Sequence, residues 1–206
     1  TAATLTINVT GSEIVSPIEE IVIDSFDNLV SSNYVRNSNG NSITVTSSSG
    51  KAKISYTVGN PEYAGITKTF SSAMDWSQGG KVKIDLVNDI AGRNLVIQFR
   101  DQSGNYFEAR KSLSAGTSTI EIPISDFKTP SWAQSAVADL SRVTEYSIYI
   151  EKGSASAGSG TLYMDNLVLV KTDDEPIVSK IVIDTFDNIN SSNYRRNETV
   201  SYTHLR

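Results

Sequence analysis

The chain reads as an all-β protein, a two-sheet antiparallel β-sandwich of jelly-roll type, on three observations. Val, Ile, Thr and Tyr recur in period-two runs; clusters of Gly, Asn, Asp and Ser separate those runs; and no stretch carries the apolar period of an amphipathic helix. In order, strands are expected at 21–24, 42–46, 51–58, 64–70, 81–87, 95–100, 106–112, 117–123, 145–151 and 160–170. The segments QSGN at 102–105 and SAGT at 114–117 have the turn residues of antiparallel hairpins. Residues 131–143 leave room for one short helical turn.

Because successive side chains of a strand point to opposite faces, the alternation assigns a core side and an outer side. In KVKIDLV the apolar set is Val82, Ile84 and Leu86, which leaves Lys83 and Asp85 outside. In LVIQFR the set Leu95, Ile97 and Phe99 leaves Val96, Gln98 and Arg100 outside. Phe107 and Ala109 leave Tyr106, Glu108 and Arg110, and Ile148 and Ile150 leave Ser147, Tyr149 and Glu151. These four strands are expected to share one polar face, rich in planar hydrogen-bonding groups where a solvated sheet would carry Thr, Ser and Lys. Trp76, Phe26, Phe99, Phe107 and Phe127 are expected to pack in the interior.

Composition narrows the chemistry. The absence of Cys excludes disulfide scaffolds, thiol nucleophiles and Cys-ligated zinc or iron–sulfur centres, and a single His excludes a multi-histidine metal site. A net charge of -5 opposes binding to nucleic acid or to an anionic membrane, both of which need a basic surface. No apolar run approaches the roughly 20 residues of a membrane span.

The chain also repeats itself. IVIDSFDNLVSSNYVRN at 21–37 returns as IVIDTFDNINSSNYRRN at 181–197, with 13 of 17 positions identical. The expected organisation is the end of an upstream β-domain and a linker at 1–19, a complete β-sandwich at 20–171, a linker at 172–180 and the start of a second copy at 181–199. Residues 200–206, VSYTHLR, leave the repeat and resemble the translated end of a sequencing-library adapter. If this tail is foreign, His204 goes with it, and the natural domain has no histidine for a Ser-His-Asp constellation.

The order of IVIDSFDN, KISYTV, YAGITKTF, MDWSQ, QFRDQSGNYFEA, IEIPISDF, ADLSRV and LYMDNLVLV resembles that of carbohydrate-binding modules of family 11. The resemblance covers residues 20–170 and implies a galactose-binding-like β-sandwich that serves as a non-catalytic module of a secreted bacterial glycoside hydrolase, outside the cell or on its surface. It implies a monomer linked covalently to neighbouring domains, whose partner is a polysaccharide of the β-glucan class. It places Tyr63 and Tyr149 where the family has sugar-contacting tyrosines. It brings Trp132, with Lys128, to a loop where relatives supply Arg and Tyr. Arg100 and Asp101 fall near a loop that carries a ligand-binding carboxylate, although the loop is shorter here.

Physically, a pyranose needs flat aromatic surfaces for its C–H faces and planar groups for its hydroxyl rim. Tyr63, Tyr149 and Trp132 suit the first need; Arg100, Gln98, Asp85, Glu108 and Glu151 suit the second, and Tyr106 shares their face. Since sugar hydroxyls surrender good bonds to water, binding of about −4 to −7 kcal/mol is expected. The resemblance further implies a structural Ca²⁺ held by Asp24, Asp27 and Asp165, with carbonyls and water completing the shell. Two other readings compete: a structural or adhesive β-repeat of a surface protein, and a jelly-roll glycosidase using carboxylates among Asp85, Glu108 and Glu151.

Overall fold

The computed structural model describes residues 19–37, 41–60 and 62–172. Among them eleven strands follow one another: β1 (Glu20–Asp24), β2 (Val35–Asn37), β3 (Ile43–Ser48), β4 (Lys51–Val58), β5 (Tyr63–Met74), β6 (Gly79–Asn88), β7 (Asn94–Asp101), β8 (Tyr106–Ser112), β9 (Gly116–Pro123), β10 (Val143–Glu151) and β11 (Gly158–Lys171). The ten expected strands are all present, and β2 is an addition. The helical turn expected within 131–143 is a single 3-10 turn, Leu140–Arg142. Residues 1–18 of the expected upstream β-domain end and linker, the second copy and the tail lie outside the described residues.

The strands form two antiparallel sheets. One runs β3-β4-β11-β6-β9 with β1 also paired to β11; the other runs β2-β5-β10-β7-β8. The long β11 serves two partners along one edge. Gly158–Met164 pairs with β4 and Leu167–Val170 pairs with β1. The change of partner falls at a bulge between Asp165 and Val168, where Asn166 takes a left-handed φ of 50°. Such a conformation is uncommon outside Gly, and Asn is among the residues that tolerate it.

The inward residues of both sheets meet in one core that includes Ile54, Ile84, Leu86, Ile97, Phe99, Tyr146 and Leu162. Phe26, Trp76, Phe99, Phe107 and Phe127 are all buried, as expected. Phe99 is their hub, 5.2 Å from the rings of Trp76 and Phe107 and 5.3 Å from that of Phe127. Contacts at this spacing add a geometric preference to the burial of area.

The sheet order corrects one expectation. Strands β7, β8 and β10 share an outer face, but β6 belongs to the other sheet, so Asp85 stands on the opposite side of the sandwich. Period-two alternation decides only inside against outside, and β6 is outward on a different sheet. There Asp85 accepts hydrogen bonds from Thr119 at 2.7 Å and Asn166 at 3.1 Å. The Thr119 hydroxyl, with Asn166 and the nearby Lys83 and Lys51 charges, holds its carboxyl below the usual range. The surrounding face is a lattice of ion pairs, Lys83 with Glu20, Lys51 with Asp165 and Lys81 with Glu121. Each exposed pair is worth little to stability.

Candidate functional site

The outer face of the five-stranded sheet is built row by row from strand register. Tyr149 lies between Gly65 of β5 and Val96 of β7, and Val96 stands beside Arg110 of β8. The next row runs Val35, Thr67, Ser147, Gln98 and Glu108; the next, Thr69, Glu145, Arg100 and Tyr106. At the other end Tyr63, Glu151, Asn94 and Ser112 are aligned. The register thus gathers Tyr63, Gln98, Arg100, Tyr106, Glu108, Tyr149 and Glu151 on one surface.

Two aromatic pairs occupy opposite ends of it. Tyr63 and Tyr149 meet edge to face, with centroids 5.9 Å apart and planes at 78°. Gly65 makes this possible. A Cβ there would fall 2.3 Å from Cδ1 of Tyr149, so the ring rests directly on the glycine backbone. Burial pushes the Tyr149 phenol up from its ordinary value.

At the far end Trp132 packs against Tyr106 with centroids 5.2 Å apart, and the Arg100 guanidinium lies over the same Tyr106 ring at 5.3 Å. Trp132 is 65% exposed, although a Trp normally hides most of its surface. Its loop is docked by Lys128, which exchanges two backbone hydrogen bonds with Glu108 on the β8 edge. Among the described residues Arg100 forms no ion pair with Glu108 or Asp101, and its buried Nε has no hydrogen-bond partner.

Between the aromatic pairs lies a polar floor. Gln98 and Ser147 are buried despite facing outward, so taller side chains surround a recessed centre. Gln98 donates to Glu108 at 3.1 Å. Arg110 grips Glu151 with two hydrogen bonds, at 2.7 and 2.9 Å, and reaches Glu108 at 3.3 Å. Glu151 chiefly, with Glu108, raises the Arg110 pKa. From strand spacing and rise, Tyr149 and Tyr106 stand roughly 17 Å apart on a diagonal: two strands across and four residues along. A polar hollow of about 250 Å³ continues the surface beyond Tyr63, between Glu62, Asn94, Lys152 and Gly153.

Three residues join the expected site: Arg110, Thr67 and Asn37. Arg110 lies on the expected face, and a role as brace between two carboxylates is readable from the alternation alone. Thr67 continues the Tyr63 and Gly65 alternation. Asn37, which donates to Thr67 at 2.6 Å, sits on the short β2 that no sequence pattern announces.

The residues expected to hold calcium are not brought together as a set. Asp24 is buried and already accepts four hydrogen bonds: from the Phe26 amide at 3.1 Å, the Tyr34 and Tyr146 phenols at 2.7 and 2.6 Å, and the Lys68 ammonium at 2.7 Å. That carboxylate has no oxygen to spare and does not fit a cation site. Asp27 and Asp165 do border one feature, the β3–β4 turn. A Cβ on Gly50 would meet the Asp27 carboxylate at 3.7 Å, and Asp165 pairs with Lys51. They fit calcium in kind, as hard oxygen donors, with Lys51 as competitor. Among the described residues no group of three or more His, Cys, Asp or Glu is arranged around a possible metal.

Comparison with solved structures gives the same two-sheet architecture. The family 11 carbohydrate-binding module of a cellulosomal cellulase of Clostridium thermocellum is 22% identical and superposes with a TM-score of 0.59, covering 76% of this chain and 97% of its own. A second structure of a Clostridium thermocellum family 11 module, in complex with a β-1,3-1,4-mixed-linked tetrasaccharide, gives 0.60 at 22% identity, covering 76% and 98%. Part of an agarase gives 0.57 at 12% identity, covering 74% of this chain and 24% of that one. A search of curated protein sequences finds no match. The profile described as carbohydrate binding domain (family 11) matches residues 13–172. With most of its length inside that match, the chain belongs to family 11 of the carbohydrate-binding domains, a family of non-catalytic binding modules.

Proposed function

We propose that the domain binds a polysaccharide of the β-glucan class along the outer face of the five-stranded sheet, and that it holds a secreted bacterial glycoside hydrolase on its substrate. One observation carries this reading: two aromatic pairs, Tyr63 with Tyr149 and Tyr106 with Trp132, flank a recessed floor of Gln98, Glu108, Arg110 and Glu151. Aromatic rings at both ends and planar donors and acceptors between them match the alternating C–H faces and hydroxyl rims of an extended chain of sugars. The solved family 11 complex with a mixed-linked tetrasaccharide supports the class of ligand. The ion-paired carboxylates serve here as fixed acceptors for sugar hydroxyls.

In native affinity electrophoresis through acrylamide containing β-glucan, xylan or mannan, the domain is expected to be retarded by β-glucan. Its affinity should fall in the range of roughly millimolar to ten micromolar. Migration unaffected by every polymer would instead favour a structural or adhesive repeat.

Calcium belongs to the same proposal in reduced form, at Asp27 and Asp165 with backbone carbonyls. Extracellular calcium modules bind at about 10⁻⁴ to 10⁻³ M, so ~10 mM Ca²⁺ should stabilise the fold by about 1.4 to 2.7 kcal/mol. Thermal unfolding checks this. Tm should rise with Ca²⁺, fall with a chelator and stop responding in Asp165→Ala; an unchanged Tm in all three conditions would mean that Lys51 already neutralises the turn.

A further inference from the structure

We propose that Asp101 is a positioning residue for the Trp132 end of the face, acting by latching together the roots of the two loops that carry Arg100, Tyr106 and Trp132. The proposal rests on the reading of that face as the glycan site.

Asp101 is 1% exposed, so it is out of reach of a ligand. Its carboxylate is used internally. Oδ1 accepts from the Asn105 amide at 2.9 Å; Oδ2 accepts from the Asn105 side chain at 3.1 Å and from the Asp139 amide at 3.3 Å. The first two bonds close the β7–β8 turn. That turn begins one residue after Arg100 and ends one residue before Tyr106. The third fixes the C-terminal end of the loop that starts at the Lys128 bridge and holds Trp132. Two further bonds tie the same junction: Gln102 donates to the Arg142 carbonyl at 2.9 Å, and the Thr144 hydroxyl donates to the Arg100 carbonyl at 3.1 Å.

The carboxylate is required as such. Both oxygens face N–H donors, so an Asn at 101 must turn its own NH₂ toward one of them. In one orientation it opposes the Asn105 amide; in the other it opposes both the Asn105 side chain and the Asp139 amide. Either way a buried donor loses its partner, at a cost that local rearrangement can relieve only by opening a loop. The arrangement of Arg100, Tyr106 and Trp132 would then lose its fixed spacing, and part of the binding energy would go into restoring it.

The test is a mutant cycle on the purified domain. Binding of β-glucan polymer and of a mixed-linked β-1,3-1,4 tetrasaccharide is measured by calorimetry for wild type, Asp101→Asn, Trp132→Ala and the double variant, and near-ultraviolet circular dichroism reports ring packing. Asp101→Asn should weaken polymer binding about tenfold, comparable with Trp132→Ala, and the double variant should lose clearly less than the product of the two single losses. The aromatic dichroism should change in Asp101→Asn while the far-ultraviolet strand signal stays. Asn105→Ala, which removes a single donor and leaves the carboxylate in place, should give a smaller loss with the same non-additivity; it serves if Asp101→Asn does not fold. Wild-type binding by a folded Asp101 or Asn105 variant, or losses that multiply with Trp132→Ala, would overturn the assignment of Asp101 and leave the glycan site standing. Failure of the wild type to bind any glycan would instead remove the function on which the assignment rests.

Discussion

Lys68→Met is expected to lower the unfolding free energy by about 3 to 5 kcal/mol, several times what loss of any exposed ion pair on either sheet would cost. Lys68 lies on β5, opposite Tyr146 in the ladder, and points into the sandwich. From there it reaches Asp24 at the end of β1 in the other sheet, so the ion pair crosses the core. The Tyr34 and Tyr146 phenols bind the same carboxylate oxygen, and the Phe26 amide holds the other. Phe26 has a left-handed φ of 61°, an uncommon state for a bulky residue, and the bond to Asp24 helps to hold it. Removing the ammonium leaves a buried carboxylate with neutral donors alone, which is why one-sided removal costs more than the intact pair contributes. Asp24→Asn combined with Lys68→Met should recover part of the loss, since neither charge is then buried. Denaturant titration at constant slope separates these cases; a Lys68→Met midpoint within error of wild type would show that the pair is not buried in solution.

The same cluster sets a pH window. Burial pushes the Asp24 carboxyl up, but hydrogen bonds from Lys68, Tyr146 and Tyr34 and the Lys68 charge outweigh it, so the net direction is down. Its stabilising contribution is therefore present above the unfolded value of 3.8 and is lost as pH falls below it. Burial and the Asp24 charge both raise the Tyr34 and Tyr146 phenols above 10.0. Their contribution is complete below that pH and is lost as pH rises beyond it, because the unfolded phenols then release protons that the folded ones keep.

Much of this architecture is legible as pattern. Ten strands are readable because each is long enough to show alternation, and Val35–Asn37 is not because three residues carry no period. Inside and outside are equally readable, as Ile84 and Leu86 show. Which sheet a strand joins is not, and Asp85 marks that limit: sheet membership depends on pairings such as Asp85 with Asp165, far apart in sequence. Asp24 shows a second limit. Its sequence setting, IDSFDN, suits a surface oxygen ligand, but a lysine 44 residues later supplies the cation. Trp132 stands out because no periodic apolar setting claims it, and its exposure agrees with that.

Gly65→Ala should abolish most glycan binding although the side chain it adds touches no sugar. The new Cβ would stand 2.3 Å from Cδ1 of Tyr149 and 2.8 Å from the Ile148 carbonyl, distances that no rotamer of alanine can relieve. The phenol ring must lift from the sheet, which breaks its edge contact with Tyr63 and moves the hydroxyl now 3.5 Å from Asn37. A displaced aromatic anchor costs about 2 kcal/mol or more in binding, roughly thirtyfold in affinity, and places a weak site below practical detection. Overpacking should also cost about 1 to 3 kcal/mol of stability. The two effects separate in the double variant with Tyr149→Ala. Without the ring the closest clash is gone and only that with the Ile148 carbonyl is left, so the double variant should be more stable than Gly65→Ala, while its binding should match that of Tyr149→Ala alone. Calorimetry with β-glucan and thermal unfolding of the four proteins read both quantities. Near-wild-type affinity in Gly65→Ala would mean that the ring resting on this glycine is not where the polysaccharide docks.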